Sequence, residues 1–186
     1  NTPARFKLAH KSRTTWLANF LTSGSVLCHH DMLPSCRYLD EFKANMSSSR
    51  YTAIGEASTG AHRFVEHILK AMPSMRLVII DRDPKECRDS LGELGYPFPL
   101  RFFLEEHAAL LDIKNRHDCL TVPFDSLDFE GTGRGIWNYC IGDGFDSKRF
   151  EMLRDMNVEL KKESIARDVE RYMPNVALLL KEAGHG

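Results

Sequence analysis

The chain has 186 residues, of which 42% are hydrophobic and 27% are charged, and this composition excludes the disordered and fibrous classes of protein. The length predicts a single domain that spans residues 1–186. Lys and Arg total 25 against 26 Asp and Glu, so the net charge is −1 and we expect no nucleic-acid partner. No apolar run approaches the roughly 20 residues of a membrane-spanning helix, so no membrane segment is expected in this chain.

Short apolar runs alternate with helical patterns along the chain. The predicted strands are Arg5–Ala9, Ser25–His29, Tyr51–Ile54, Arg76–Asp81 and Cys119–Val122. The predicted helices are Thr14–Thr22, Ala61–Met72, Pro84–Leu94, Phe98–Ile113, Ile136–Ile141, Ser147–Met156, Ser164–Met173 and Asn175–Ala183. This alternation predicts an α/β fold, a three-layer sandwich with a mostly parallel central sheet and a helical C-terminal third. Ligands of such sheets bind at the carboxyl ends of the strands.

The five cysteines are odd in number and form no Cys-x-x-Cys pair. This usage is typical of a reducing compartment, so we expect a cytoplasmic protein, and a leader or anchor ahead of Asn1 stays open. The segment from Cys28 to Asp31, taken with Cys36, matches no zinc-ligand spacing, and no metal site is predicted.

The loop after the first predicted strand contains Lys11, Ser12, Arg13, Thr14 and Thr15. The N–H groups and partial positive charge of a helix N-terminus favour an anion, and the two cations and three hydroxyls add further donors. Cations are unfavourable at this end of a helix unless an anion binds there, so the pattern predicts an anion site. A solvated turn capped by Thr14 is the alternative.

The same loop resembles the 5′-phosphosulfate loop of the sulfotransferases, approximately P-K-S-G-T-T-W. His10 replaces the proline, Arg13 replaces the glycine, and Trp16 matches the tryptophan. The resemblance implies that residues 11–15 bind the phosphosulfate of PAPS (3′-phosphoadenosine 5′-phosphosulfate), that Lys11 stabilises the leaving oxygen, and that Trp16 stacks near the adenine. The core of the first helix is the alternative position for Trp16. At position 13, arginine adopts a positive φ less readily than the family's glycine does.

A second segment follows the apolar strand that ends at Asp81. Arg82, Asp83 and Pro84, with Ser90 eight residues after Arg82, resemble the R-[ND]-P-x-[DE] segment with which sulfotransferases hold the 3′-phosphate of PAPS. The resemblance implies that Arg82 and Ser90 bind that phosphate. An ordinary helix that begins at a proline is the alternative.

The segment Gly55-Glu56-Ala57-Ser58 resembles the G-E-[KA]-S segment of the bacterial and heparan-sulfate-type branch of the family. The resemblance implies that Glu56 is the catalytic base, and a helix-capping role is its alternative. His30 is the second candidate for the base, and His29 and His62 are further rivals. Later in the chain, Phe124 stands where the family's Y-E-D-L segment has a tyrosine, so the contact of that hydroxyl with adenine would be lost.

Together these resemblances imply a P-loop NTPase-like fold and a PAPS-dependent sulfotransferase. PAPS would be the co-substrate, no metal would be required, and the acceptor would be a hydroxyl or amine of a small molecule or glycan. The acceptor site is expected at Asp31–Ser49 and Tyr96–Asp112, the first of them polar and mobile. The sequence indicates no oligomeric state.

Two other functions stay open. The strand Leu77–Asp81 ends in an acid as a Walker B strand does, which would suit a kinase that uses Mg-ATP. The arginine at position 13 would also suit a sulfotransferase-like binding module without catalysis.

Overall fold

The computed structural model of the chain describes residues 13–93 and 98–154, together with the backbone of the strand at 5–8. The strands are β1 (Arg5–Leu8), β2 (Val26–His30), β3 (Ala53–Ser58), β4 (Arg76–Asp81) and β5 (Cys119–Pro123). They form one sheet in the order β2-β3-β1-β4-β5, and every neighbouring pair is parallel. The carboxyl ends of the strands therefore lie along one edge, as predicted for a parallel sheet.

Seven α-helices connect or follow these strands in the described part of the chain. They are α1 (Thr14–Leu21), α2 (Leu39–Asn45), α3 (Val65–Ala71), α4 (Pro84–Glu93), α5 (Leu100–Arg116), α6 (Glu130–Cys140) and α7 (Ser147–Arg154). Short 3₁₀ helices lie at Leu33–Ser35, Ala61–Phe64 and Phe124–Ser126.

Helices cover both faces of the sheet, because alternate strand residues point to opposite faces. From β4, Val78 and Ile80 point to the face covered by α1, α6 and α7. Leu77 and Ile79 point to the other face, against residues of α2, α3 and α5. Apolar residues fill both interfaces, so neither face of the sheet is left to water. This arrangement confirms the predicted three-layer α/β sandwich with a parallel sheet.

The packing of α6 on α7 depends on Gly133. A β-carbon at this position would lie 2.3 Å from Cε2 of Phe150, which is fully buried. The helix was predicted to begin at Ile136, yet it begins at Glu130 and includes three glycines. Glycine lowers helix propensity, but here it permits a close approach between helices.

The prediction of β3 as Tyr51–Ile54 was wrong, because the strand runs from Ala53 to Ser58. All six of its residues are buried, so sheet pairing with β1 and β2 outweighs the low strand propensity of Gly55 and Glu56. Glu56 consequently lies inside the strand and not in the loop after it.

The predicted helix Ala61–Met72 begins as a 3₁₀ helix and becomes α3 only at Val65. Helix α2 was not predicted; it lies within the segment Asp31–Ser49, where Phe42 is fully buried. The predicted helices Ser164–Met173 and Asn175–Ala183 lie outside the described residues.

Candidate functional site

The first turn of α1 lies at the strand-end edge of the sheet, where an anion site was predicted. Arg13 is the N-cap of this helix, its side chain makes no capping hydrogen bond, and the first turn contains no acidic residue. The backbone N–H groups at such a helix end attract anions. Lys11 and Ser12 lie outside the described residues, so their roles stay predictions.

Arg13 has a left-handed backbone, with φ 55° and ψ 35°. This is the conformation that glycine adopts most readily, and glycine is the residue that the phosphosulfate loop has at this position. Arg13 thus has the backbone conformation that suits glycine although the residue is arginine. The Arg13 guanidinium pairs with Asp128, after β5, and its Cζ lies 6.0 Å from the centre of the Phe124 ring.

Two threonines of α1 converge on one histidine at the end of β2. Oγ1 of Thr14 lies 3.0 Å and Oγ1 of Thr15 lies 3.1 Å from Nε2 of His30. Oδ2 of Asp31 lies 3.3 Å from the same nitrogen, and the other carboxylate oxygen of Asp31 accepts a hydrogen bond from Thr59 N–H at 3.1 Å. Asp31 itself has a positive φ of 49°. The structure therefore joins Thr14, Thr15 and His30 in one polar cluster.

Arg82 lies just after β4, and its side chain is only 16% exposed. Its guanidinium stacks on Phe124 at 4.0 Å from Cζ to the ring centre, and Nε donates to Oε2 of Glu86 at 3.3 Å. Ser90 is half-buried two turns along α4 from the loop of Arg82. Cys87 on α4 is a neighbour of Arg82. Burial raises the pKa of its thiol to about 11, so the thiol stays neutral.

Glu56 is 1% exposed and lies in the interior of strand β3. Its Oε1 accepts hydrogen bonds from the backbone N–H groups of Met32 at 2.8 Å and Leu33 at 3.3 Å. Burial raises the pKa of Glu56 to about 7, even though the two N–H donors act to lower it. Its Oε2 is buried without a hydrogen-bond partner among the described residues.

Glu56 and His30, the two predicted candidates for the base, lie on opposite faces of the sheet. His30 pairs in register with Ala57, which packs on the α1 side, so the neighbouring Glu56 points to the other side. His29 pairs in register with Glu56, and burial lowers the pKa of its imidazole. The structure therefore does not bring Glu56 and His30 into one pair.

Trp16 is a core residue of α1 in this structure. It is 3% exposed, its ring stacks on Phe20 at 5.1 Å, and its indole N–H donates to the carbonyl of Leu153 at 2.8 Å. The expected stacking of Trp16 near adenine stays a prediction, and the burial of the ring counts against it.

Two histidine–carboxylate pairs each have one partner on α5. Nε2 of His62, a rival base, lies 2.5 Å from Oε2 of Glu106 beneath this helix, and its side chain is only 1% exposed. Nε2 of His107 lies 3.0 Å from Oδ1 of Asp81 at the end of β4. The burial of His62 is unfavourable for contact with an acceptor.

Phe124 contacts both Arg13 and Arg82, and Asp128 pairs with Arg13; none of these contacts was predicted from the sequence. Phe124 follows the last predicted strand, but the sequence alone does not show that this strand lies beside β4, which ends next to Arg82. Within the described residues, no group of three His, Cys, Asp or Glu side chains could hold a metal ion. No helix of residues 13–93 and 98–154 is both long and apolar enough to cross a membrane.

No family model matches the chain, and no curated protein matches it in sequence. Among solved structures, it is similar to mouse sulfotransferase SULT7A1 in complex with PAP, with a TM-score of 0.60 and 14% sequence identity. The similarity covers 87% of this chain and 69% of the mouse chain. At this identity the likeness shows the fold alone: the chain has the mixed α/β, P-loop-like fold of the sulfotransferases.

Proposed function

We propose that the chain is a single-domain, PAPS-dependent sulfotransferase that transfers a sulfuryl group to a hydroxyl or amine of a small-molecule or glycan acceptor. One observation carries this proposal. Arg13 of the segment that resembles the phosphosulfate loop and Arg82 of the segment that resembles the 3′-phosphate site both lie against Phe124. Segments far apart in sequence therefore meet at the strand-end edge, as one nucleotide with phosphates at both the 5′ and 3′ positions requires.

In the proposed complex, the first turn of α1 holds the 5′-phosphosulfate. The helix N-terminus supplies N–H donors, Ser12, Thr14 and Thr15 supply hydroxyls, and Arg13 supplies a full charge. Arg82 and Ser90 hold the 3′-phosphate. The solved relative with PAP in the equivalent fold supports a nucleotide of this class.

Sulfuryl transfer resembles phosphoryl transfer in having a loose, in-line transition state, so catalysis depends on positioning and charge. Lys11 would stabilise the oxygen that bridges the phosphate and the sulfate, because negative charge develops there as the bond from sulfur to this oxygen breaks. A base would accept the proton of the acceptor. Glu56 has a pKa of about 7, which suits that exchange near neutral pH, but it is 1% exposed and points to the face opposite His30. The side chain of His30 is 26% exposed, so His30 is the more accessible candidate for this base.

A kinase that uses Mg-ATP is the second function to test. Its candidate metal ligand, Asp81, does end β4, but the carboxylate is engaged by His107 at 3.0 Å. This contact favours a structural role for Asp81. Arg13 keeps the left-handed backbone that suits glycine, which favours an intact anion loop over a degenerate one.

Calorimetric titration tests the proposal with three ligands: 3′,5′-adenosine diphosphate, 5′-AMP and Mg-ATP. We expect metal-independent binding of the 3′,5′-bisphosphate that is much tighter than binding of 5′-AMP. Arg82→Ala should remove most of this preference, whereas Arg101→Ala should not, because Arg101 is an exposed arginine paired with Glu105 on α5. Preference for Mg-ATP, or equal binding of the bisphosphate and 5′-AMP, would contradict the proposal.

A further inference from the structure

The ring of Phe124 contacts two guanidinium groups at the strand-end edge of the sheet. Arg82 stacks on it at 4.0 Å and Arg13 lies at 6.0 Å, measured from each Cζ to the ring centre. We propose that Phe124 is a positioning residue: its ring orients Arg82, and secondarily Arg13, so that the chain distinguishes a nucleoside 3′,5′-bisphosphate from a 5′-monophosphate. This inference rests on the proposed function and deepens it.

Sheet register brings the ring and Arg82 together. Asp81, the last residue of β4, pairs with Pro123, the last residue of β5, so Arg82 and Phe124 directly follow the paired ends of two adjacent parallel strands. A tight turn then fixes the ring, since Ser126 Oγ donates to the carbonyl of Pro123 at 2.7 Å and the Leu127 N–H donates to that of Phe124 at 3.1 Å. Leu127 is buried in the core of the α1 side, so the turn is anchored.

Phe124 is partly buried and packs against the same core, while Arg82 stacks on the ring. A stacked guanidinium contacts the ring with its flat face, so the stack itself uses none of the N–H groups along the guanidinium edge. A phosphate is bound through that edge. The contact with Phe124 is therefore compatible with phosphate binding, and it holds Arg82 in place before the nucleotide arrives.

The same turn also holds Arg13. The carboxylate of Asp128 pairs with the Arg13 guanidinium, four residues after the ring that this arginine approaches. The segment from Phe124 to Asp128 therefore contacts both loops that were predicted to bind the phosphates. One ring that contacts both guanidinium groups restricts where each of them can lie, and an aliphatic side chain lacks the aromatic face that attracts a guanidinium.

The test compares Phe124→Leu, which keeps an apolar side chain against the core, with Phe124→Tyr, which keeps the aromatic ring. The measured quantity is the ratio of the Kd for 5′-AMP to the Kd for 3′,5′-adenosine diphosphate, obtained by calorimetry. We expect Phe124→Leu to lower this ratio about tenfold and Phe124→Tyr to keep it within about twofold of the starting protein. In an Arg82→Ala background, Phe124→Leu should change the ratio little, because Arg82 mediates the effect.

An unchanged ratio in Phe124→Leu, or an equal loss in both variants, would overturn the inference while leaving the proposed function intact. If the starting protein does not itself prefer the bisphosphate, the proposed function fails and the inference fails with it. Thermal unfolding checks that each variant folds, and Phe124→Met replaces the leucine variant if that one does not.

Discussion

Thr14 and His30 are joined by a contact of 3.0 Å between a threonine hydroxyl and a histidine ring nitrogen, and Thr15 reaches the same nitrogen at 3.1 Å. This nitrogen has either one proton or one lone pair, so it cannot serve both hydroxyls in full. His30 therefore fixes the orientation of hydroxyls on the first turn of α1. This geometry gives His30 a positioning role whether or not it accepts a proton during catalysis.

Replacing His30 separates these two roles. His30→Ala should weaken binding of 3′,5′-adenosine diphosphate roughly three- to tenfold, because Thr14 and Thr15 lose the group that orients them. His30→Gln should restore most of that binding, since its amide can contact the threonine oxygens. Calorimetry measures binding, and turnover is measured in parallel. Wild-type binding in both variants would show that the contact does not orient the anion site.

Arg13 provides a test of backbone strain at the loop. Arg13→Gly and Arg13→Ala both remove the pair with Asp128, but only glycine adopts a φ of 55° without strain. The glycine variant should therefore be about 1 kcal/mol more stable to unfolding than the alanine variant. Urea denaturation of the two variants measures the difference. An alanine variant as stable as the glycine variant would mean that the loop does not require a left-handed residue.

Lys11 resembles the lysine of the family's phosphosulfate loop, and this resemblance predicts that it stabilises the leaving oxygen. Lys11→Ala should lower sulfuryl transfer at least about a hundredfold, because charge that develops in the transition state would lose its stabilising partner. Lys114→Ala on α5 is the matched control and should keep full activity. Retained transfer in the Lys11 variant would remove this lysine from the mechanism.

The sequence predicted the sheet well where strand residues are apolar and β-branched. Strand β4 has its predicted bounds, Arg76–Asp81, because its central residues are suited to burial on both faces. Strand β3 was placed too early, because Gly55, Glu56 and Ser58 do not indicate a strand until the neighbouring strands enclose them.

Part of the site could be predicted in the same way. The segments containing Arg13 and Arg82 lie at strand ends, as expected from strand and helix alternation. Their common partner Phe124 could not be predicted, because its place beside Arg82 depends on the parallel register between β4 and β5. Local sequence does not encode that register. The contact of His30 with Thr14 and Thr15 likewise depends on how α1 packs on β2.

Glu56 makes the stability of the chain depend on pH. Its pKa rises from an ordinary 4.5 to about 7 in the folded protein. Between pH 4.5 and pH 7, the folded state therefore keeps a proton on Glu56 that the unfolded state has already released. Stability from this residue is therefore greatest at low pH, falls as pH rises from about 4.5 to 7, and is constant above that. The loss should be about 2–3 kcal/mol between pH 5 and pH 8.

Glu56→Gln tests this expectation because glutamine does not ionise and its oxygen can still accept from Met32 and Leu33. The free energy of unfolding in urea, measured at pH 5 and pH 8, should fall less with pH in this variant than in the starting protein. Glu151→Gln, at an exposed position on α7, should leave the pH dependence unchanged. Equal pH dependence in the Glu56 variant and the starting protein would mean that this carboxyl is ionised in the folded state, as an ordinary glutamate is.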